Sequence, residues 1–284
     1  KQEYDLYKDI KLRCGGEIYL GVVGPVRTGK STFIKRFMDL MVLPFMDDEH
    51  AKMRAQDELP QSSGGKTIMT TEPKFIPKEA ASVTLQGGVD VKVRLIDCVG
   101  YVIPGAIGHI EEGQPRMVMT PWSEEPLPFE EAAELGTQKV IREHSTLGIV
   151  VTTDGTIGDL PRESYIESEE RVINELKELN KPFAIVLNSS RPNAPQTIAL
   201  CKDMEAQYGV SVIPLNCIDL GENEIKEILK TVLYEFPVQE IRIQMPSWLN
   251  IPGETNVLFW KLLDTITSSV QNIDKIGKAK NSNL

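Results

Sequence analysis

The segment GPVRTGKS at positions 24–31 carries residue types whose spacing suits the binding of a phosphate group. It fits the pattern G-x-x-x-x-G-K-[ST], follows an apolar run at 18–23 and precedes an apolar helical repeat that begins near Lys30. Glycines allow the backbone to turn its N–H groups toward a phosphate, and the helix N-terminus adds partial positive charge. We therefore predict a loop in which Lys30 neutralises the β- and γ-phosphates of a nucleotide and the Ser31 hydroxyl ligates Mg²⁺.

The whole loop and the first turn of the helix that follows it are expected to contact the nucleotide. Arg27, inside the loop, could reach a phosphate of its own or of a neighbouring subunit, or could be an ordinary exposed loop residue. The residues predicted to bind the cofactor here are Gly24, Pro25, Val26, Arg27, Thr28, Gly29, Lys30, Ser31 and Thr32.

A second acidic element, the D-x-x-G sequence at 97–100, ends a later apolar strand. In that position we expect Asp97 to hold Mg²⁺ through a water molecule and the Gly100 N–H to sense the γ-phosphate. The alternative is a strand-end aspartate that only caps a turn. Ras-like enzymes place a water-orienting Gln directly after this glycine. This chain has Tyr101 there, so the group that positions the water must come from elsewhere.

The polar stretch GGKTIMTT at 64–71 lies where nucleotide-sensing loops place a threonine that coordinates Mg²⁺. Thr70 or Thr71 could ligate the ion and hold the attacking water through a backbone carbonyl. The alternative is a β-branched pair that enters a strand. With Lys30 and Asp97, these threonines are the predicted catalytic residues.

The base-binding position departs from the N-K-x-D sequence that recognises guanine. The chain reads Asn188-Ser189-Ser190-Arg191, so the Asn is present and the Asp is not. Without that carboxylate, guanine has no bidentate acceptor, and the preference for guanine should fall steeply. Asn216 occupies the later position of a base-contacting loop. We therefore expect adenine to be favoured over guanine, with ATP and Mg²⁺ as cofactors and Gly100, Asn188 and Asn216 as further contacts.

The composition restricts the class of protein. Across 284 residues, 31 basic and 41 acidic side chains give a net charge of −10, which argues against a nucleic-acid partner. The four cysteines form no C-x-x-C pair, and their wide spacing fits a reducing cytoplasm. No apolar run approaches the ~20 residues that cross a bilayer.

The alternation of apolar elements predicts a P-loop NTPase fold of the α/β class. Its central sheet is expected to be mainly parallel, with helices on both faces and one antiparallel edge strand from a hairpin at 82–85 and 91–96. Residues 43–70 are predicted to form a long loop, and 101–129 an insertion with a role of its own. Helices are predicted from near 30 and over 129–143, 168–179, 194–208 and 222–233, and further strands over 18–23, 147–152, 183–187 and 210–215.

The pattern changes after Pro237. We place a P-loop ATPase domain at 1–236 and, at 237–284, the start of a following region that is expected to be truncated. This region is predicted to contain a strand at 238–245 and a helix over about 255–273.

Five longer segments resemble one family among the relatives of the translation-factor P-loop GTPases, the stage IV sporulation protein A family. Two contain the phosphate loop and the D-x-x-G sequence, GVVGPVRTGKSTFIKRFM at 21–38 and DCVGYVIPGA at 97–106. The third is AQDELPQSSGGKTIMTTEPKF at 55–75. The segments 120–146 and 152–173 have no general phosphate-loop role and make the resemblance specific. It runs from about residue 4 to residue 248.

The resemblance implies an ATPase whose nucleotide cycle drives polymerisation into the basement layer of the bacterial spore coat. Lys30, Asp97 and the Thr70–Thr71 pair match the family's phosphate-loop, Mg²⁺ and sensor-threonine positions. The implied partners are further copies of the protein, spore coat and cortex assembly proteins, and a small membrane-surface anchoring protein at the forespore. The implied location is the mother-cell cytoplasm, peripherally on the outer surface of the forespore.

Two other functions stay open at this point. The chain could be a regulatory GTPase-like switch, or a structural scaffold that binds nucleotide without turning it over. The sequence at 188–191 argues against the first, because the guanine-specific carboxylate is missing. Intact Lys30, Ser31 and Asp97 argue against the second.

Overall fold

The computed structural model describes residues 6–46, 48–60, 73–85, 89–106, 109–111, 113–238, 240–242, 257–271 and 273–281. The chain divides into two compact units, Lys1–Val232 and Leu233–Leu284.

The first unit is built on a six-stranded sheet. Numbered in chain order, the strands of the described residues are β1 (Glu17–Val23), β2 (Lys74–Leu85), β3 (Val89–Asp97), β4 (Ile110–Glu111), β5 (Gln114–Pro115), β6 (Met117–Thr120), β7 (Ser123–Pro128), β8 (Leu147–Thr153), β9 (Phe183–Asn188) and β10 (Val212–Leu215). The sheet order is β10-β9-β8-β1-β3-β2, and all neighbours are parallel except β2 and β3. The predicted fold class, with its single antiparallel edge strand, is confirmed.

The helices alternate with these strands along the chain. Those in the described residues are α1 (Leu6–Arg13), α2 (Lys30–Phe37), α3 (Glu49–Asp57), α4 (Phe129–Lys139), α5 (Glu163–Glu178), α6 (Pro195–Tyr208), α7 (Glu222–Tyr234), α8 (Val257–Val270) and α9 (Ile276–Asn281). Helix α2 continues as a π-helical turn at Met38–Val42 and a 3₁₀ turn at Leu43–Phe45, and α4 continues as a π-helical turn at Val140–His144.

Apolar side chains cover the sheet on both faces. On one face Ile18 and Leu20 of β1 lie with Phe37 of α2 and Leu229 of α7 around a small apolar space. On the other face Val23 lies in a buried cluster formed mainly with the strands β3, β8 and β9 and the helices α5 and α6. Strand β8 is buried along its whole length, as expected for a central parallel strand. The sheet is therefore the fixed platform from whose carboxyl ends the loops emerge.

Several predicted boundaries were wrong. The predicted loop at 43–70 contains α3, which begins where the Asp48 side chain accepts a hydrogen bond from the His50 N–H at 2.9 Å. Only Ala55 of α3 is buried, so the helix carries almost no apolar periodicity that a sequence could reveal. Helix α1 was also missed, and α5 begins at Glu163 instead of 168. The insertion at 101–129 contains two short hairpins, β4–β5 and β6–β7.

In the second unit, α8 confirms the helix predicted at about 255–273. The strand predicted at 238–245 is not found in its described residues, 238 and 240–242, and the rest of it lies outside the described residues. Instead, Pro237 and Lys275 form an isolated bridge, and the Val238 N–H donates to the Asp274 carbonyl at 2.9 Å. Among the described residues, no helix is both long and apolar enough to cross a membrane.

A buried ion pair joins the carboxyl end of β8 to α5. Glu169 is 0% exposed and receives two hydrogen bonds from Arg162, at 2.5 and 2.7 Å. The same guanidinium donates to the Thr153 carbonyl at 3.2 Å, and the Tyr208 hydroxyl donates to Glu169 at 2.9 Å. These bonds fix the strand end from which the next loop leaves the sheet.

Replacing Glu169 with Ala is expected to lower the free energy of unfolding by about 3–5 kcal/mol, because the largely buried Arg162 loses its counter-charge. Urea denaturation of the Glu169→Ala variant measures the loss. Glu167→Ala, an exposed position on the same helix, is the matched control and should leave stability nearly unchanged. Equal stability of the two variants would contradict the structural role of the pair.

Candidate nucleotide-binding site

The loop between β1 and α2 has a backbone that requires glycine at two positions. Gly24 and Gly29 have φ angles of +137° and +96°. A Cβ on Gly24 would lie 2.3 Å from the Val151 carbonyl oxygen, and a Cβ on Gly29 would lie 2.4 Å from Asn188 Nδ2. Since neither close approach tolerates a side chain, both glycines of the sequence pattern are explained by the fold.

The Lys30 ammonium lies inside this loop. Its Nζ donates to the carbonyl oxygens of Pro25 at 2.6 Å and Gly24 at 3.3 Å, and the residue is 5% exposed. Burial lowers the pKa of Lys30 below its ordinary value, because it removes the ammonium from water. The carbonyls are neutral acceptors, so a phosphate group in the loop would supply the full negative charge that the ammonium lacks.

Ser31 and Asp97 form the part of the site that fits a metal ion. The Ser31 hydroxyl donates to Asp97 Oδ2 at 3.1 Å. The other carboxylate oxygen, Oδ1, is buried and has no hydrogen-bond partner within the described part of the chain. Burial raises the pKa of Asp97 because it penalises the charged carboxylate. A cation would satisfy both features, and an oxygen-only pair of this kind suits Mg²⁺.

Gly100 brings the D-x-x-G segment directly against the phosphate loop. Its φ angle is +90°, and a Cβ there would lie 2.1 Å from the Gly24 carbonyl oxygen and 2.7 Å from Lys30 Nζ. The Val26 N–H donates to the Tyr101 carbonyl at 3.0 Å, which joins the two segments by their backbones. Four predicted residues, Gly24, Lys30, Asp97 and Gly100, thus meet in one place.

Asn188 lies between the phosphate loop and the loop after β10. Its Nδ2 donates to the Thr28 carbonyl at 2.9 Å, its Oδ1 accepts from the Cys217 N–H at 3.0 Å, and the residue is 2% exposed. Both ends of the amide are therefore occupied by the protein. The structure places Asn188 as a bridge between loops, and its contact with a base stays a prediction.

Asn216 shapes its own loop. Its Oδ1 accepts from the Ile218 N–H at 3.1 Å and its Nδ2 donates to Asp219 at 2.7 Å.

Of the other predicted contacts, Pro25, Val26 and Thr28 are buried, whereas Arg27 and Thr32 are partly exposed. Arg27 has a left-handed backbone, with φ +62°. Thr70 and Thr71 lie outside the described residues.

The loop after β8 is a neighbour of the site that the sequence did not reveal. The Asp154 carboxylate accepts from the N–H and hydroxyl of Thr156 at 3.0 and 2.6 Å, and Thr156 Oγ1 in turn accepts from the Ser190 N–H at 2.9 Å. The Asp-Gly pair at 154–155, directly after a buried strand, was the available signal for such a turn.

Similarity to known proteins agrees with this geometry. Residues 1–237 match the family described as Stage IV sporulation protein A, ATPase domain. Relatives named Stage IV sporulation protein A from Bacillus subtilis (strain 168) and Clostridioides difficile (strain 630) are 54% and 50% identical to the chain, over 275 and 272 residues. The chain belongs to the stage IV sporulation protein A family.

This membership confirms the resemblance seen in the sequence and makes the site that of an ATPase domain. The aligned regions cover 97% and 96% of the chain but 56% and 55% of the two stage IV sporulation protein A relatives. The chain thus spans a little over half their length.

Among solved structures, the chain is similar to a GTP-binding protein of the archaeon Sulfolobus solfataricus in complex with GDP. The sequences are 14% identical, the TM-score is 0.43, and the match covers 80% of this chain and 54% of that one.

Adding one methyl group at Gly100 should disable the site. The Gly100→Ala variant is expected to lower kcat/KM for ATP hydrolysis by about 100-fold, because the Cβ would displace the Gly24 carbonyl and Lys30. Gly113→Ala is the matched control, since Gly113 also has a positive φ, +81°, but a Cβ there meets no atom of the described residues within 4 Å. Steady-state phosphate release measures both, and equal losses in the two variants would contradict the role given to Gly100.

Replacing Asp97 with Asn is expected to raise the Mg²⁺ concentration needed for half-maximal ATP binding by about tenfold, because the carboxylate that positions the ion is lost. The melting temperature without ligand should not fall, since a buried carboxylate with a raised pKa is replaced by a neutral amide. Titrating Mg²⁺ at fixed ATP measures the first quantity. An unchanged Mg²⁺ requirement would remove Asp97 from the metal site.

Proposed function

We propose that the site binds ATP with Mg²⁺ and hydrolyses it, and that this cycle drives assembly of the protein into the basement layer of the spore coat. The observation that carries the proposal is the convergence of Lys30, Ser31, Asp97 and Gly100 at the carboxyl ends of β1 and β3. Family membership supports hydrolysis of ATP by such a site.

Each residue has a distinct part in the proposed reaction. Bound Mg²⁺ would neutralise charge that develops on the phosphate oxygens. Lys30 would neutralise the β- and γ-phosphates, Ser31 and Asp97 would hold the ion, and the Gly100 N–H would donate to the γ-phosphate. Thr70 or Thr71 would ligate the ion and hold the attacking water. Because no Gln follows Gly100, turnover should be slow and coupled to assembly instead of signalling.

The preference for ATP over GTP rests on missing acceptors. Arg191 stands where guanine-specific sites have a carboxylate, and the Arg191 N–H donates to the Ser189 hydroxyl at 3.0 Å. Without a carboxylate at position 191, the two donors of a guanine edge lack the paired acceptor that guanine-specific sites provide, which costs binding free energy.

We infer the partners and the location of the protein from its proposed assembly into the spore coat. The protein associates with further copies of itself, with coat and cortex assembly proteins, and with a small anchoring protein at the membrane surface. It acts in the mother-cell cytoplasm, peripherally on the outer surface of the forespore. The net charge of −10 supports the inference that nucleic acid is not a partner.

Phosphate release measured side by side with ATP and GTP tests the nucleotide part of the proposal. We expect ATP turnover to exceed GTP turnover by about tenfold, since unpaired polar groups cost at least that factor. Lys30→Ala should abolish turnover. Lys35→Ala, an exposed lysine on the same helix, is the matched control and should keep it.

The same variants in the full-length protein test the coupling to assembly. Sedimentation with ATP should pellet the wild type and Lys35→Ala but not Lys30→Ala. Faster turnover of GTP would contradict the assignment of adenine. Turnover no greater than that of Lys30→Ala would leave only a nucleotide-binding scaffold.

A further inference from the structure

Tyr101 fills the position after Gly100 with a side chain that points into the protein. It is 1% exposed, and its hydroxyl donates to Glu175 Oε1 at 2.6 Å. The Arg171 guanidinium carbon lies 4.5 Å from the centre of its ring, an arrangement that favours a cation over an aromatic face. Both partners belong to α5, so the side chain is bound to a helix and not to the phosphate loop.

The backbone of Tyr101, unlike its side chain, is bound to the phosphate loop. Its carbonyl accepts from the Val26 N–H at 3.0 Å, and Pro25 and Tyr101 form a parallel bridge. The preceding residue, Gly100, lies against the Gly24 carbonyl. One residue, directly after Gly100, therefore joins the phosphate loop to α5.

Glu175, which accepts from the tyrosine hydroxyl, and its neighbour Arg171 are in turn bound by side chains of α4. Gln138 Nε2 donates to Glu175 Oε1 at 3.4 Å, and Arg171 forms a two-pronged ion pair with Glu134, one of whose hydrogen bonds is 2.8 Å long. Burial and the adjacent Glu175 raise the pKa of Tyr101, so its hydroxyl keeps its proton and remains a donor.

We propose that Tyr101 is a positioning residue that fixes the Gly100 N–H where the γ-phosphate of ATP is sensed. It acts by tethering the D-x-x-G segment to α5 through its hydroxyl and to the phosphate loop through its carbonyl. Because the tether fixes this segment within the folded protein, the Gly100 N–H is in place before ATP binds, and the nucleotide does not have to order it. This inference rests on the proposed binding of ATP at the site.

The test compares two nucleotides that differ in the γ-phosphate. Dissociation constants for ADP and for the non-hydrolysable analogue adenylyl imidodiphosphate are measured with Mg²⁺ for the wild type and Tyr101→Phe. The wild type should bind the analogue more tightly than ADP. Tyr101→Phe should lose about tenfold of that preference, because one hydrogen bond to the Glu175 carboxylate, whose side chain is 13% exposed, is removed. Its affinity for ADP should be unchanged, and KM for ATP should rise together with the dissociation constant of the analogue, because ATP carries the same γ-phosphate.

Tyr208→Phe is the matched control. Its hydroxyl also donates to a glutamate of α5, Glu169, at 2.9 Å, and a lysine, Lys177, also lies over its ring. Tyr208 is 7% exposed. The two variants therefore remove the same kind of hydrogen bond, but only Tyr101 is attached to the phosphate loop. Tyr208→Phe should lower stability without changing the ratio of the two dissociation constants.

Glu175→Ala should reproduce the effect of Tyr101→Phe on that ratio, and the double variant should show no further loss, because the two side chains act as one contact. An unchanged ratio in Tyr101→Phe, an equal change in Tyr208→Phe, or a wild type that does not distinguish the two nucleotides would overturn the inference. If the ratio behaves as expected while wild-type ATP turnover is absent, the tether stands and the proposed hydrolysis fails.

Discussion

The burial of the Lys30 ammonium against the carbonyls of Gly24 and Pro25 is the interaction on which the site depends. A buried cation must be paired, and here the backbone of a short loop supplies the acceptors. That requirement curls the loop around the ammonium and turns its carbonyls inward on that side. It also leaves no space at Gly100 for a side chain, because the second strand end must pass within contact distance of the same atoms.

Around this centre, loops from different strands are joined by single side chains. Asn188 links the phosphate loop to the loop after β10, and Tyr101 links the D-x-x-G segment to α5. The Arg162–Glu169 pair fixes the end of β8 on the same helix. Loops that leave a parallel sheet at one edge would otherwise be free to move separately, and these bonds give them a common position.

Much of this arrangement could be predicted from residue types and spacing. The phosphate loop, the acidic strand end and the alternation of buried strands with amphipathic helices are local patterns, and the structure contains them where they were expected. Helix α3 could not be found in this way, since a helix with one buried residue has no apolar periodicity. The hairpin β4–β5 was missed because two-residue strands carry no pattern. The hairpin β6–β7 was missed because β7 contains two prolines, which argue against a strand in a sequence.

The candidate site shows the same limit. Lys30, Ser31 and Asp97 belong to motifs whose chemistry can be stated from sequence alone. The bridge made by Asn188 joins atoms from residues 160 positions apart, and the role of Tyr101 depends on which helix packs above it. Side chains that act by holding one loop against another become visible only when the fold brings those loops together.

The tether at Tyr101 has an outer and an inner part that differ in their response to ionic strength. Arg171 and Glu134 are 44% and 27% exposed, so dissolved ions screen their attraction and weaken it as salt rises. Tyr101 is 1% exposed and the Glu175 side chain 13%, so dissolved ions screen the hydrogen bond between them less than they screen the outer pair. The position of Gly100 should therefore depend little on the salt content of the cell, even when the surface ion pair above it no longer contributes.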